Sequence, residues 1–191
     1  MTQQKSVALL IETSNAYARN LLGGIVSYIR TTDSWSVYLP EQHRGATPPS
    51  WLKNWKGDGL IVRIETEAIA RVVKKLKMPI VDVSAARHVP KIPWVETDDA
   101  AIARLAYEHF HRRGFEHFAF CGEPEYNWSN WREQAFIQAA NQSGRNCSVF
   151  HSKSREARGF SLSRERTRLT KWITHLPRPV ALFACYDIKA Q

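Results

Sequence analysis

Short continuous apolar runs alternate along this chain with longer stretches in which apolar residues recur at helical spacing. The first run, residues 7–11, is typical of a strand that is buried on both faces. An apolar stripe follows it and predicts a helix over residues 17–30. The same alternation continues as far as Cys185, so the sequence predicts an α/β fold.

Helices of about ten residues or more separate the predicted strands, which favours right-handed βαβ units and parallel sheets. Thr66 suits the N-cap of the second helix, and Asp98 or Asp99 suits that of the third. Gly114 suits the C-terminal end of the third helix. Strands are expected over residues 7–11, 35–39, 60–64, 79–83, 95–97, 117–121, 147–151 and 180–185, and helices over residues 17–30, 67–77, 100–113, 129–142 and 163–175.

Two α/β lobes are the natural division of these elements, with a boundary near residues 114–116. Residues 1–115 then form a first lobe, and residues 116–191 form a second lobe with only three strands. Residues 187–191 have the pattern of the first turn of another helix. We therefore expect the second lobe to be incomplete in this chain.

The formal charge of +9 and the isoelectric point near 9.7 suit a partner that carries phosphates. The basic excess is concentrated between Arg145 and Arg178 and around residues 109–113. Arg112 and Arg113 lie in the last turn of a predicted helix, where cations complement the helix dipole without any partner. The sequence has no helix-turn-helix, zinc-finger or basic-zipper pattern that would support nucleic-acid binding. A direct nucleic-acid surface is kept only as an alternative explanation of the basic charge.

The sequence argues against a disulfide-linked, metal-binding, membrane or secreted protein. Cys121, Cys147 and Cys185 have no metal-ligand spacing, and their odd number favours reduced, buried thiols. No apolar run approaches the ~20 residues of a membrane span, and no secretory leader is recognisable, so we expect a cytoplasmic protein without a membrane partner.

Enzymatic signatures are also missing from the sequence. The glycine-rich dinucleotide and P-loop motifs and the nucleophile elbow do not occur. His109 and His111 lie on different sides of a helix, and Glu123 and Glu125 lie in a loop with no evident partner. We therefore expect no catalytic residues, no metal and no cofactor.

The first strand ends in a polar turn, residues 12–15, directly before a helix. Open α/β sheets build ligand sites at such places, because the ends of parallel strands meet the free N–H groups of a helix there. The turn therefore predicts a small-molecule site. Asn15 suits either the N-cap of the helix or a contact with the ligand.

The order and spacing of several short motifs resemble the effector domains of lactose-repressor-type regulators. From residue 118 onward, the chain is more narrowly similar to the xylose-responsive regulators, and the resemblance runs from about Lys5 to Gln191. The motifs are Ala16-Tyr17-Ala18-Arg19, Gly57-Asp58-Gly59, Thr97-Asp98-Asp99, Phe118 to Glu125, Trp128, Arg132-Glu133 and Ala135-Phe136.

This resemblance implies a periplasmic-binding-protein-like fold of type I, with two parallel-sheet lobes that close on a pentose, first of all D-xylose. It also implies a homodimer that binds DNA through a C-terminal helix-turn-helix domain, which is absent from this chain. The chain is then expected to be the sensing portion of a cytoplasmic transcription regulator. A sugar solute-binding protein and an α/β sugar- or nucleotide-processing enzyme remain as alternatives.

A pentose site needs residues that both donate and accept hydrogen bonds, and an aromatic ring against the apolar face of the sugar. In the first lobe, the resemblance points to Tyr17 and Arg19 beside Asn15. It also places Asp98 near the ligand, although this residue equally suits a helix N-cap.

In the second lobe, Trp128 and Arg132 are four residues apart and share one helical face. An arginine there can donate a fork of hydrogen bonds to sugar oxygens while the tryptophan packs on the ring. Trp128 alternatively anchors the helix in the core. Asp187, which follows the last predicted strand, matches the cleft aspartate of the family.

Overall fold

A computed structural model describes residues 4–14, 16–31, 35–42, 47–155 and 158–191. The chain divides into two compact units, Met1–Glu96 and Thr97–Gln191, and each contains one parallel sheet with flanking helices. The first unit contains β1 (Ser6–Leu10), α1 (Ala16–Thr31), β2 (Ser36–Tyr38), a short 3-10 helix (Leu52–Asn54), β3 (Gly59–Val62), α2 (Glu67–Val73) and β4 (Ile80–Asp82).

The first sheet has the strand order β2-β1-β3-β4, and all its pairs are parallel. Successive side chains of β1 enter two different apolar clusters, one on each face of the sheet. Ala8 and Leu10 pack with residues of α2, whereas Val7 and Leu9 pack with residues of α1. This burial on both faces explains why the strand is a continuous apolar run.

The turn before β3 fixes the start of the central strand. The Asp58 carboxylate accepts a hydrogen bond from Ser6 N at 2.7 Å, and Asp58 N donates to Ser6 O at 2.7 Å. A Cβ at Gly57 would lie 2.6 Å from Ser6 O, so only glycine fits there without displacing backbone. The Gly57-Asp58-Gly59 motif therefore sets the register of β3 against β1.

The second sheet has the strand order β6-β5-β7, again with parallel pairs. Its core is largely aromatic: Phe118 and Phe120 of the central strand pack with Phe136, and Tyr107 packs on Phe118. The elements are α3 (Asp99–Arg112), β5 (His117–Gly122), α4 (Asn127–Gln142), β6 (Cys147–His151), α5 (Leu162–Thr174), β7 (Val180–Ala184) and α6 (Asp187–Ala190).

The expected boundary near residues 114–116 is wrong. The chain divides after Glu96, and α3 belongs to the second unit because Tyr107 joins its aromatic core and Asp99 forms an ion pair with Arg132 of α4. The strand expected over residues 95–97 is also wrong. Only an isolated bridge between Asp82 and Trp94 forms there.

Most of the other elements agree with the sequence pattern to within a few residues. Thr66 caps α2 by accepting a hydrogen bond from Ile69 N, but α2 ends at Val73 rather than near Lys77. Cys121 and Cys185 are buried free thiols and Cys147 is a half-buried one. Burial raises the pKa of each, to about 12 for Cys121 and Cys147 and about 11 for Cys185.

Candidate ligand-binding site

In the first unit, Tyr17 lies in the first turn of α1 and is 41% exposed. Its hydroxyl donates a hydrogen bond to Glu96 Oε1 at 2.8 Å, and the Arg63 guanidinium lies 5.3 Å from its ring centroid. Arg63 also forms an ion pair of 2.6 Å with Glu65, just beyond the carboxyl end of β3. Tyr17 therefore lies among charged side chains that the sequence did not associate with it.

Arg19 has a local structural role. Its Nη1 atom donates hydrogen bonds to the backbone oxygens of Thr13 and Ser14, at 3.3 and 3.0 Å. These bonds tie α1 to the polar turn after β1. Asn15, the third residue expected at this turn, lies outside the described residues.

Asp98 is the N-cap of α3, and its Oδ1 atom accepts a hydrogen bond from Ala101 N at 2.8 Å. The structural role that the sequence offered for this residue is therefore present. Asp98 is exposed, and it lies in the second unit rather than in the first lobe where it was expected.

Arg132 is held in place from two sides. Its Nε atom donates to Asp99 Oδ1 at 2.8 Å, and its Nη1 atom donates to Cys185 O at 2.5 Å. The Asp99 side chain is 2% exposed and that of Arg132 is 16% exposed, so little solvent screens this ion pair. Among the described residues, the Nη2 group of Arg132 has no acceptor, which leaves it available to a ligand.

Trp128 has the packing role that the sequence offered, and it also lies beside Arg132. Its ring is half-buried, stacks on Tyr126 at 5.4 Å and meets Tyr186 edge-on at 5.4 Å. The Arg132 guanidinium lies 5.1 Å from the Trp128 ring centroid. The pair thus shares a face as the spacing predicted, and Trp128 also packs against the second core.

Asp187 is the first residue of α6, and its exposed carboxylate has no hydrogen-bond or ion-pair partner among the described residues. The helix is tied down by Lys189, whose Nζ atom lies 2.6 Å from Glu123 Oε1 and 2.9 Å from Ser152 Oγ. Glu123 is 1% exposed. This buried ion pair was missed, because the sequence suggested no partner for Glu123.

Arg132, Trp128, Lys189 and Asp187 all lie at or just beyond the carboxyl ends of β5 and β7, where open parallel sheets bind ligands. These side chains offer a guanidinium donor, a carboxylate acceptor and an aromatic face, which are the groups that bind the hydroxyls and the apolar face of a polyol. Two surface grooves of about 580 and 390 Å³ lie instead along α4 and between α3 and α4, and no predicted site residue lines them.

The described part of the chain contains neither a metal-binding cluster nor a membrane-spanning helix. No group of three or more histidine, cysteine, aspartate or glutamate side chains there is placed to hold a metal ion. No described helix is both long and apolar enough to cross a bilayer.

Known proteins with similar sequences fall into one group. The family model described as the XylR N-terminal domain matches residues 6–100, and the family model described as the periplasmic binding protein-like domain matches residues 107–191. The xylose operon regulatory protein of Escherichia coli (strain K12) is 27% identical over 198 residues, covering 100% of this chain and 50% of the relative. The protein of the same name from Haemophilus influenzae is 23% identical over 200 residues, covering 100% of this chain and 51% of the relative.

The fold has a matching solved structure, that of the xylose-binding transcription activator xylR. It aligns with a TM-score of 0.80 and 25% identity, covering 96% of this chain and 47% of that one. The chain thus spans about half the length of the curated relatives that it matches. With a match to the XylR N-terminal domain followed by a match to the periplasmic-binding-protein-like domain, the chain is homologous to the xylose operon regulators.

Proposed function

We propose that this chain is the sugar-sensing part of a transcription regulator and that its ligand is a pentose, first of all D-xylose. The relatives that the chain matches along its whole length are regulators of xylose operons. The matching solved structure is described as a xylose-binding activator. A regulator of this kind acts on DNA in the cytoplasm, and we propose that it does so as a homodimer with a separate helix-turn-helix domain.

The observation that carries the proposal is the fixed guanidinium of Arg132. Asp99 and Cys185 O take two of its hydrogen bonds, so its plane is set before any ligand arrives. The free Nη2 group can then donate to sugar oxygens without a large loss of side-chain entropy. Trp128 and the carboxylate of Asp187 supply the stacking face and the acceptor, and Asn15, Tyr17, Arg19 and Asp98 remain predicted ligand contacts.

Sensing requires that the sugar binds one state of the regulator more tightly than another. The chain has no catalytic role in this proposal, because binding energy alone shifts the equilibrium. A buried polar group that a wrong sugar leaves unpaired costs about 1 to 3 kcal/mol, which is enough to discriminate between pentoses that differ in one hydroxyl.

Calorimetric titration of the protein with D-xylose, D-ribose and L-arabinose tests this function. We expect D-xylose to bind most tightly, and Asp187→Asn to weaken it about tenfold because a charge-assisted hydrogen bond is lost. Glu125→Gln is the matched control, since Glu125 is exposed and lies in the loop before α4. A folded protein that binds none of the three sugars at millimolar concentration would contradict the proposal.

A further inference from the structure

The helix α5 and its flanks carry most of the net charge of the chain. From His151 to Arg178 the sequence has eight lysines and arginines but only two glutamates, whereas the whole chain has a formal charge of +9. Six of the nine excess positive charges therefore lie in this one stretch. Such a concentration needs either local carboxylates or an external anion to offset it.

The one acidic residue of α5 does not neutralise the exposed side of the helix. Glu165 is 9% exposed and points towards β6, where it accepts hydrogen bonds from Ser152 Oγ at 2.7 Å and Lys153 N at 3.1 Å. Its other oxygen binds Arg168 Nη1 at 2.7 Å. Arg168 is further held by His151 O and lies over the Phe150 ring. Among the described residues, Glu165 thus pairs with one cation of the helix, Arg168, and with no other.

Three cations of α5 are exposed and have no hydrogen-bond acceptor or ion-pair partner among the described residues: Arg164, Arg166 and Lys171. Arg164 and Lys171 are seven residues apart and share one side of the helix, whereas Arg166, two residues after Arg164, lies on another side. Arg155 and Arg158, in the segment before the helix, are also exposed. We call Arg164 and Lys171, with these two flanking arginines, the basic face.

Two other surface arginines of the same unit have local acceptors. Arg112, in the last turn of α3, donates from Nε to Glu108 O, and Arg145 forms an ion pair of 2.9 Å with Glu116. The side chains of the basic face have no such contacts with the described residues. Like charges three or four residues apart, such as Arg164 with Arg168 and Arg168 with Lys171, destabilise a helix slightly. Within the described part of the chain, Arg164 therefore has no attractive partner, and Lys171 has only the helix dipole.

We propose that the basic face of α5 binds the phosphate backbone of duplex DNA. Duplex DNA carries about one negative charge per 1.7 Å of its axis, so side chains spread along a helix meet phosphates without any sequence requirement. These contacts would add a sequence-independent term to binding by a separate DNA-binding domain. The choice of DNA as the polyanion rests on the proposed function, whereas the uncompensated charge does not.

Fluorescence anisotropy with a short labelled duplex of arbitrary sequence tests the proposal. Binding by the protein is measured between about 50 and about 200 mM NaCl, because each neutralised phosphate contributes about −0.9 to the slope of log K against log salt. The double variant Arg164→Gln, Lys171→Gln should reduce that slope by about 2 and weaken binding at least tenfold at the lowest salt. Glutamine keeps the helix propensity of these positions.

The matched control removes the same charge elsewhere. Lys74 and Lys75 are exposed residues just after α2, and changing both to glutamine should alter the slope far less. Equal losses in the two double variants, or no binding by the unaltered protein at low salt, would overturn the proposal. Tighter binding to single-stranded RNA, or to vesicles containing phosphatidylserine, would also overturn it.

The test of DNA binding by α5 can succeed or fail independently of the test of sugar binding. The α5 double variant should bind D-xylose as the unaltered protein does, because neither residue is a proposed ligand contact. Loss of DNA binding with intact sugar binding supports the basic face alone. A protein that binds DNA through α5 but binds no pentose would leave this inference standing while removing the sugar assignment.

Discussion

The carboxyl ends of the two sheets hold their polar groups by different kinds of contact. In the first unit, the buried Asp82 accepts hydrogen bonds from Ile64 N and from Ser84. Tyr17, which is 41% exposed, hydrogen-bonds to Glu96 at the surface. In the second unit, Glu123 and Asp99 are 1% and 3% exposed, and each is held by a cation. Surface pairs contribute little to stability, whereas a buried charge is tolerated only with its partner. The second edge is therefore held by buried ion pairs, whereas Asp82 and Tyr17 of the first edge are held by hydrogen bonds.

The largest expected effect breaks the buried pair of the second unit. Lys189→Met leaves the Glu123 carboxylate buried without its cation, and should lower the free energy of unfolding by about 3 kcal/mol. Urea denaturation followed by circular dichroism measures this loss. Lys171→Met is the matched control, since Lys171 is exposed on α5, and it should change the free energy of unfolding by less than about 0.5 kcal/mol. Equal losses in the two variants would contradict the contrast.

Ligand affinity provides the next comparison, between a buried and an exposed ion pair of the second unit. Arg132→Lys retains a cation for Asp99 but loses the planar fork, and should weaken pentose binding by at least about 1.5 kcal/mol. Arg145→Lys, at an exposed ion pair, should leave the calorimetric affinity unchanged. An unaltered affinity in Arg132→Lys would show that Arg132 has only a structural role.

A smaller effect is expected from the exposed hydrogen bond of the first unit. Tyr17→Phe removes the hydroxyl that donates to Glu96, and should lower the free energy of unfolding by no more than about 1 kcal/mol. Thermal unfolding measures the change. A loss as large as that of Lys189→Met would mean that the first edge is as rigid as the second.

The smallest expected effect is a difference between the two units in how their stability depends on pH. Burial of Asp82 raises its pKa against the opposing hydrogen bonds from Ser84 and Ile64. The folded state then holds its proton more readily than the unfolded chain, so the first unit loses stability as pH rises from the usual aspartate pKa of about 3.9 to the raised value. Asp82→Asn should remove this dependence.

Glu165 of the second unit behaves in the opposite way. Burial alone would raise its pKa, but hydrogen bonds from Ser152 and Lys153 together with the Arg168 charge outweigh it and lower the pKa. Its contribution is present above the ordinary glutamate pKa of about 4.3 and is lost as pH falls through the lowered value. Hydrogen exchange resolved by unit, between about pH 5 and pH 3, should show this loss in the unaltered protein but not in Glu165→Gln.

The central strands were predictable because β1, β3 and β5 are almost wholly buried, which makes each of them a largely apolar run. Residues 147–151 were predicted to form a strand, and β6 has those ends. The boundary was not predictable, because nothing local to α3 says that Tyr107 packs on Phe118 and Phe136. Hydrophobic periodicity gives the buried side of a helix but not the sheet that it covers.

The contacts of the candidate site were likewise predictable only in part. The spacing of Trp128 and Arg132 placed them on one face, and the structure brings them together. Asp99 was interpreted only as a possible helix cap, yet it lies 33 positions from Arg132 in sequence and forms its ion pair. Such pairs form only when α3 packs on α4, and the Lys189 contact with Glu123 likewise forms only when α6 docks beside β5.

The most direct measurement is a crystal structure of the protein with D-xylose bound. The account predicts sugar oxygens within hydrogen-bond distance of the Arg132 Nη2 atom and of the Asp187 carboxylate, with the Trp128 ring against the sugar. A sugar bound in the groove between α3 and α4, with both of these residues free of it, would contradict the assignment of the ligand site to the carboxyl edge of the second sheet.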